Sequence, residues 1–400
     1  MIVLVLNCGS SSIKYQVIDI NEESNALLAK GLVDRIGLPE GSLTHKPVGK
    51  NNFELKQSIP DHTTGISLVL EALTDKEHGV ISSLDEVKAV GHRVAHGGEF
   101  FKSSAIVDEQ AKENIRSLFE IAPLHNPANL EGVLSIEKVL PGIPQVAVFD
   151  TSFHQSIPAI NYLYALPYEY YEKYRVRKYG FHGTSHKFVA QKGAALAGLD
   201  FENSKIITCH LGNGGSVTAV MNGKSVDTSM GFTPVEGVVM GTRCGNVDAG
   251  VVTYIQDKEN LDSKGINAVL NKMSGFLGVS GVSSDARDIE GAAAEGNKRA
   301  ALAMDMFKYS VLKYIGAYSA VMNGVDLIVF TGGIGENDPS VREYISKGCS
   351  YLGVDFNPEA NDGLRGKDAI LTKEGSKVVV AAITTNEELV IARDTMRLAK

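Results

Sequence analysis

KIITCHLGNGGSVTAVMNGKSVDTSMG, residues 205–231, decides the fold. Residues 205–211 form an apolar, β-branched run that predicts a strand. The GNGG that follows is too rich in glycine to continue it and predicts a tight tip. SVTAVM predicts the returning strand. Asn222-Gly223 is the dipeptide of a two-residue hairpin turn, and KSVDT predicts a third strand. The chain opens on the same order of elements. IVLVL (residues 2–6) runs into NCGSSSIK (residues 7–14) and returns as IKYQVID (residues 13–19). The latter is too short and too β-branched for the helix that follows a phosphate loop. ALLAKGLVDRIG and NFELKQSI extend this opening hairpin. A shift of 203 residues lays Gly9 on Gly212 and the serine cluster on residues 213–215. Sequence identity at that offset is negligible, so the shared order of elements carries the inference of a duplicated α/β domain.

Each half continues with helices and buried strands. DHTTGISLVLEAL predicts a helix capped by Asp61. HNPANLEGVLSIEKVL predicts another, with Asn126 as cap and Pro127 at its first position. VKAVGHRV, QVAVFD and VDLIVF read as strands, the last followed by a glycine turn and a helix. The expected architecture is two phosphate-binding hairpins facing across a cleft.

Bulk properties exclude several classes. With 400 residues, 44% apolar and 22% charged, the chain is long enough for two domains with sizeable cores. A net charge of −8 with no dense Lys/Arg block argues against nucleic-acid binding. Cys8, Cys209, Cys244 and Cys349 form no C-x-x-C pair, so neither a zinc site nor a disulfide framework is indicated. A reducing cytoplasm is the simplest compartment. The N-terminus lacks a basic n-region, and no run approaches the ~20 apolar residues of a membrane span.

Familiar nucleotide motifs fail. Gly223-Lys224-Ser225 would need a glycine where Thr218 stands, and GGIGEN has Asp338 where a dinucleotide fingerprint needs its last glycine. What recurs is small-residue tips, at Gly9, at residues 212–215 and at residues 332–335. Convergent backbone N–H groups at such tips, or at a helix start, suit phosphate. Arg93 and Arg243 sit among glycines in GHRVAHGGE and GTRCGN, where a ligand can approach closely. The planar guanidinium fork suits carboxylate and phosphate oxygens. Asp150 ends a strand at the half-way point, the end at which α/β ligands bind. Glu387 and Glu388 open the last predicted helix, where the dipole alone favours acids. His182 precedes a helix between Phe181 and Gly183.

NCGSSSIK, GHRVAHGGE, FDTSFH, YGFHGTSH, HLGNGGS, GTRCGNVD, GGIGEN and TNEEL, in this order, resemble the acetate kinase family over essentially the whole chain. The resemblance implies an α/β protein of two duplicated actin/Hsp70-like (ribonuclease H-like) domains flanking a nucleotide cleft. The first would be residues 1–150 with 386–400, and the second residues 151–385, the latter forming a homodimer. It implies reversible MgATP-dependent phosphorylation of acetate, or of propionate or another short carboxylate, with Mg2+ or Mn2+ as the ion. Asn7 and Glu387 would hold the metal. Ser10, Ser12 and Lys14 would line the phosphate side of the first hairpin. Arg93 would bind the carboxylate, and Ala95, Leu124, Phe181 and Pro234 its methyl group. Asp150, His182 and Arg243 would be catalytic. The nucleotide would meet His210, Leu211, Gly212, Asn213 and Gly214, then Asp285, Ala286 and Arg287, then Gly333, Ile334, Gly335, Glu336 and Asn337. Ala95 departs from the valine more usual in acetate kinases, which implies room for a longer acyl chain. A carboxylate substrate is ionised at neutral pH and needs no general base, so Asp150 is expected to orient an arginine or the metal's water. A chaperone would need a client-binding domain beyond these two halves. A sugar kinase would need a base and a polar pocket.

Overall fold

The computed structural model describes all 400 residues. They form two compact units, Met1–Ser152 together with Asn386–Lys400, and Phe153–Thr385. The first holds β1 (Ile2–Cys8), β2 (Ser12–Ile20), β3 (Asn25–Asp34), β4 (Gly41–Pro47), β5 (Phe53–Gln57), β6 (Val87–Val94), β7 (Ala105–Ile106) and β8 (Gln145–Phe149). These make one sheet in the order β5-β4-β3-β2-β1-β6-β8-β7. The second unit holds β9 (Lys205–Leu211), β10 (Gly215–Met221), β11 (Lys224–Thr228), β12 (Leu327–Thr331), β13 (Ala369–Ile370) and β14 (Val379–Ala382), in the order β11-β10-β9-β12-β14-β13.

The two sheets are the same design. In each, three consecutive strands pair antiparallel, the first then pairs parallel with a fourth, the fourth with another, and a two-strand edge closes antiparallel. β4 and β5 are an extension of the first sheet alone. The 203-residue shift carries β1 onto β9 residue for residue. The hairpin turns form as expected: Gly9 N–H donates to the Ser12 carbonyl at 2.8 Å. Asn222 (φ 51°) and Gly223 (φ 74°) both take the left-handed conformation that a type I′ turn demands.

β4 was not anticipated, although GSLTHKP alternates buried Leu43 and His45 with outward Ser42, Thr44 and Lys46. His45 is fully buried because its Nδ1 meets the Tyr15 hydroxyl at 2.6 Å. Asp61 caps the helix His62–Thr74, accepting from the Thr64 N–H. The cap expected at Asn126 is displaced: the helix is Asn126–Val139, His125 stands at the cap with no side-chain bond, and the Asn126 side chain is used elsewhere.

Parallel β1, β6 and β8 are covered by helices, which is why β1 and β8 read as nearly continuous apolar runs. The helix Glu387–Leu398 follows β14 in the chain yet packs on β1, β6 and β8. The helix Gly183–Leu196 follows β8 yet packs on β9 and β12. Each unit thus includes a helix that lies beyond the other unit's last full strand in the chain.

Candidate functional site

In the first unit the ends of β1, β6 and β8 converge. The carbonyl end of β8 delivers Asp150, 3% exposed. The neighbouring parallel strand β6 delivers Arg93, and they pair edge to edge: Nε–Oδ1 3.0 Å and Nη2–Oδ2 2.6 Å. Arg93 Nη1 lies 3.5 Å from Asn7 Oδ1 on β1. Asp150 holds the guanidinium charged, above the usual arginine range, against the cost of burial. Glu387, half-buried at the N-terminus of the last helix, is pushed up to about 7 by loss of water. Arg93 pulls it down, while Asp150 and Glu388 push it up.

Two cavities open on this pair. One, of about 170 Å³, is lined by Asn7, Gly9, Ser12, Lys14, Arg93, Ala95 and Asn129 among others. The other, of about 320 Å³, continues along the outer sheet face past Asn7, Lys14, Arg93, Glu387 and Glu388. Register explains the row: Asn7 pairs with Lys14 across β1–β2, so both stand on one face. The structure therefore brings Asn7, Ser12, Lys14, Arg93, Ala95, Asp150 and Glu387 together. Ser10 is exposed at the hairpin tip and lines neither cavity. Leu124, 63% exposed, is not on the wall that holds Ala95.

Sequence reading missed the residues that fix this loop. Asn129 accepts from the Ala95 N–H at 2.9 Å and donates to the Cys8 carbonyl at 2.7 Å, tying the ends of β6 and β1. Asn126 accepts from the His96 N–H and donates to the His96 carbonyl. Both lie in the helix Asn126–Val139, for which the sequence offered Asn126 only as a cap.

The second unit has its own cavity, of about 700 Å³, lined by Gly212, Asn213, Asp285, Ala286, Arg287, Gly333, Ile334 and Asn337, together with Phe276, Glu290, Asp338 and Arg365. Gly212 and Gly333 abut: a Cβ on Gly212 would stand 3.7 Å from the Gly333 nitrogen. Gly332 (φ 77°) turns the chain so tightly that a Cβ would meet the Leu211 carbonyl oxygen at 2.8 Å. Asp285 caps the helix Ala286–Ala294 and grips Arg287 with both oxygens, at 3.0 and 2.6 Å, which holds its carboxyl at about 2.

Three residues expected on the nucleotide are placed otherwise. Leu211 is wholly buried, and Gly335 is buried behind the turn. The Glu336 carboxylate faces inward, where one oxygen accepts from the Thr331 hydroxyl and the Gly332 and Thr385 N–H groups at 3.0–3.1 Å. It fixes the turn. Arg342, fully buried with no carboxylate hydrogen-bonded to its guanidinium, donates to the Gly335 and Leu364 carbonyls and to Asn361 Oδ1, holding the same turn from behind.

Beside that cavity stand His182, His210, Gly214 and Arg243. A Cβ on Gly214 would meet Arg243 Nη1 at 3.2 Å and the His182 ring at 3.8 Å. His182 has φ 55°, a rare conformation for a residue with a side chain. Its ring stacks on His210, centroids 4.3 Å apart. Arg243 is half-buried. It has no carboxylate partner, its one side-chain polar contact is the Met240 sulfur at 3.8 Å, and burial presses its guanidinium below the usual range. An under-compensated buried cation beside a glycine tip is a ready receptor for an anion. Phe181 is buried and Pro234 half-buried in this unit.

All four cysteines are free thiols. No group of three His, Cys, Asp or Glu side chains could cage a metal, and no helix is long and apolar enough to cross a membrane.

The sequence profile of the acetokinase family matches residues 2–393. The acetate kinase of Heliobacterium modesticaldum is 58% identical over 400 residues, covering all of both chains. The crystal structure of Porphyromonas gingivalis acetate kinase superposes with a TM-score of 0.96 at 48% identity, covering all of both chains. A propionate kinase from Francisella tularensis superposes at 0.90 with 38% identity, covering 99% of each chain. With two sheets of one duplicated topology and these matches along its whole length, the chain belongs to the acetokinase family, ATP-using kinases.

Proposed function

We propose that the chain transfers the γ-phosphoryl group of ATP to the carboxylate of acetate, reversibly, giving acetyl phosphate and ADP. The observation that carries this reading is the contrast between its two arginines. Arg93 is locked by Asp150 and keeps only part of its fork for a ligand, which suits a small monoanion held in one orientation. Arg243 has no acid and is free to neutralise phosphoryl charge. A carboxylate oxygen attacks the γ-phosphorus in line, the bond to the β–γ bridging oxygen breaks, and ADP leaves. Acetate is already ionised at pH 7, so no proton need be removed. With both carboxylate oxygens on Arg93, Asp150 positions that guanidinium. Gly212, Asn213 and Gly333 would face the nucleotide phosphates, and Asp285 to Arg287 its nucleoside.

Mg2+ or Mn2+ fits the donors present. The Glu387 carboxyl and the Asn7 amide oxygen line one cavity, and one or two protein oxygens completed by water and phosphate is the usual magnesium set. Bound there, the ion would offset phosphate charge. A homodimer through the second unit has support in the exposure of Ile160, Leu166, Tyr168 and Tyr174, and sedimentation tests it.

Purified protein given ATP, Mg2+, hydroxylamine and acetate should accumulate acetohydroxamate. No hydroxamate from acetate, propionate or butyrate would sink the proposal. Propionate is a second reading, favoured by the small side chain of Ala95 on the wall beside Arg93.

A further inference from the structure

We infer that Thr208, His186 and Ser216 form a one-way hydrogen-bond chain that holds His182 neutral, with its single proton on Nε2. The chain starts at a buried hydroxyl. Thr208 is 0% exposed, and its Oγ1 has one polar partner, His186 Nδ1 at 2.7 Å. A hydroxyl carries one proton and spare lone pairs. An idle lone pair costs little, whereas a buried O–H without an acceptor forfeits its hydration with nothing in return. Thr208 therefore donates, and His186 Nδ1 accepts.

His186 is itself fully buried, and loss of water, with His154 and His210 nearby, keeps its imidazole uncharged. Its proton is then on Nε2, which lies 2.7 Å from Ser216 Oγ. Ser216, also fully buried, has two side-chain partners, His186 Nε2 and His182 Nδ1 at 2.8 Å. Receiving a proton from the first, it must give its own to the second. His182 Nδ1 is an acceptor, so the neutral ring is protonated at Nε2. The imidazolium form would need Nδ1–H to point at an oxygen already receiving from His186, and the Ser216 proton would lose its acceptor.

The far side of the His182 ring is where this matters. Its Nε2 and Cε1 approach Gly214, as does Arg243 Nη1. His210, stacked on the ring, is fixed separately, through Nδ1 to Ser185 Oγ at 2.8 Å. The structure thus presents a neutral, directional N–H and a cation to one glycine tip. On the function proposed above, His182 would orient a phosphoryl oxygen and Arg243 would supply the charge. That consequence rests on the proposed function, but the tautomer does not. Thr208, His186 and Ser216 are positioning residues, since the side-chain hydrogen bonds of the chain run only among them and to His182.

The test is nitrogen NMR on the full-length protein labelled with 15N-histidine, with His182 assigned by the signal lost in His182→Gln. At pH 7 its Nε2 should show the shift of a protonated nitrogen and its Nδ1 that of a bare, hydrogen-bonded one. Ser216→Ala should release the ring into a tautomer mixture and lower kcat roughly tenfold, as loss of an orienting partner does, with KM for ATP within about twofold. Thr208→Val should loosen the tautomer too, and Thr208→Ser, which keeps the donor, should retain the wild-type spectrum. A wild-type His182 protonated at Nδ1, or at both nitrogens, overturns the inference, as does an unchanged His182 spectrum in Ser216→Ala. Because the spectrum needs no turnover, an inactive protein with the expected tautomer would count against the proposed function alone.

Discussion

Arg93 and Asp150, 57 residues apart in sequence, share two parallel hydrogen bonds of 3.0 and 2.6 Å between neighbouring parallel strands. The acid is almost fully buried and the arginine about one-third exposed, at 4% and 31% of their side chains. The pair therefore orients a cation towards a ligand.

Replacing one partner should separate orientation from charge. Asp150→Asn should lower kcat/KM for acetate about 10–100-fold, chiefly through KM for acetate, while KM for ATP changes less than about threefold. Arg93→Ala should also cost about 3–5 kcal/mol of stability, because a buried carboxylate is left uncompensated. Steady-state kinetics and denaturant melts check both. An Asp150→Asn enzyme with unchanged acetate kinetics would remove Asp150 from the site.

Arg243 should behave in the opposite way. It has no ion pair to lose, so Arg243→Ala should leave thermal stability unchanged or slightly raised. The expected loss is about 10²–10³ in kcat, the scale for removing one donor to developing charge. A variant that is destabilised yet catalytically normal would mark Arg243 as a scaffold residue.

Ala95 sets a prediction about chain length. It is 8% exposed and lines the 170 Å³ cavity with Arg93. Valine would fill part of that space, and one methylene in an apolar pocket is worth about 1–3 kcal/mol of discrimination. Ala95→Val should move the acetate-to-propionate ratio of kcat/KM towards acetate by about tenfold. A fixed ratio in a folded, active variant shows that Ala95 does not measure the acyl chain.

Glu290 gives the pH dependence. Burial and the Asp338 carboxylate raise it to about 7, while the hydrogen bond to Glu290, then two N–H groups and the Ser340 hydroxyl, hold Asp338 low against its own burial. The folded state then holds a proton that the unfolded chain releases near pH 4.5. Between about pH 4.5 and 7 the native state binds more protons, so this group lowers stability as pH rises. Glu290→Gln should erase that slope, matching the wild type in acid and exceeding it above pH 7 by about 1 kcal/mol, after allowing for partial exposure. Parallel melting curves from pH 4 to 8 would contradict this.

Local pattern was enough for much of the fold. Period-two burial, the Gly9 and Gly212 tips and the Asn222-Gly223 turn depend on residues within a few positions of one another, so the duplicated hairpins were legible, as was the Asp61 cap. Arg93, Arg243 and His182 were legible as candidates because they stood near glycines, and Asp150 because it ended a buried strand. Partnership was not. That Asp150 grips Arg93, that Asn129 ties β1 to β6, that Arg342 and Glu336 serve the Gly332 turn, and that Thr208 commands His182 through two intermediates follows from strand register and helix docking. Except within the Gly332 turn, where Glu336 and Arg342 act on near neighbours, these bonds join residues 22 to 121 positions apart. The sequence by itself determined which segments become strands and which groups carry chemistry, because propensity and turn conformation act locally. Only the tertiary structure decided which polar groups face a ligand and which are consumed in holding the backbone, because a buried donor or acceptor takes whatever partner the packed neighbours provide.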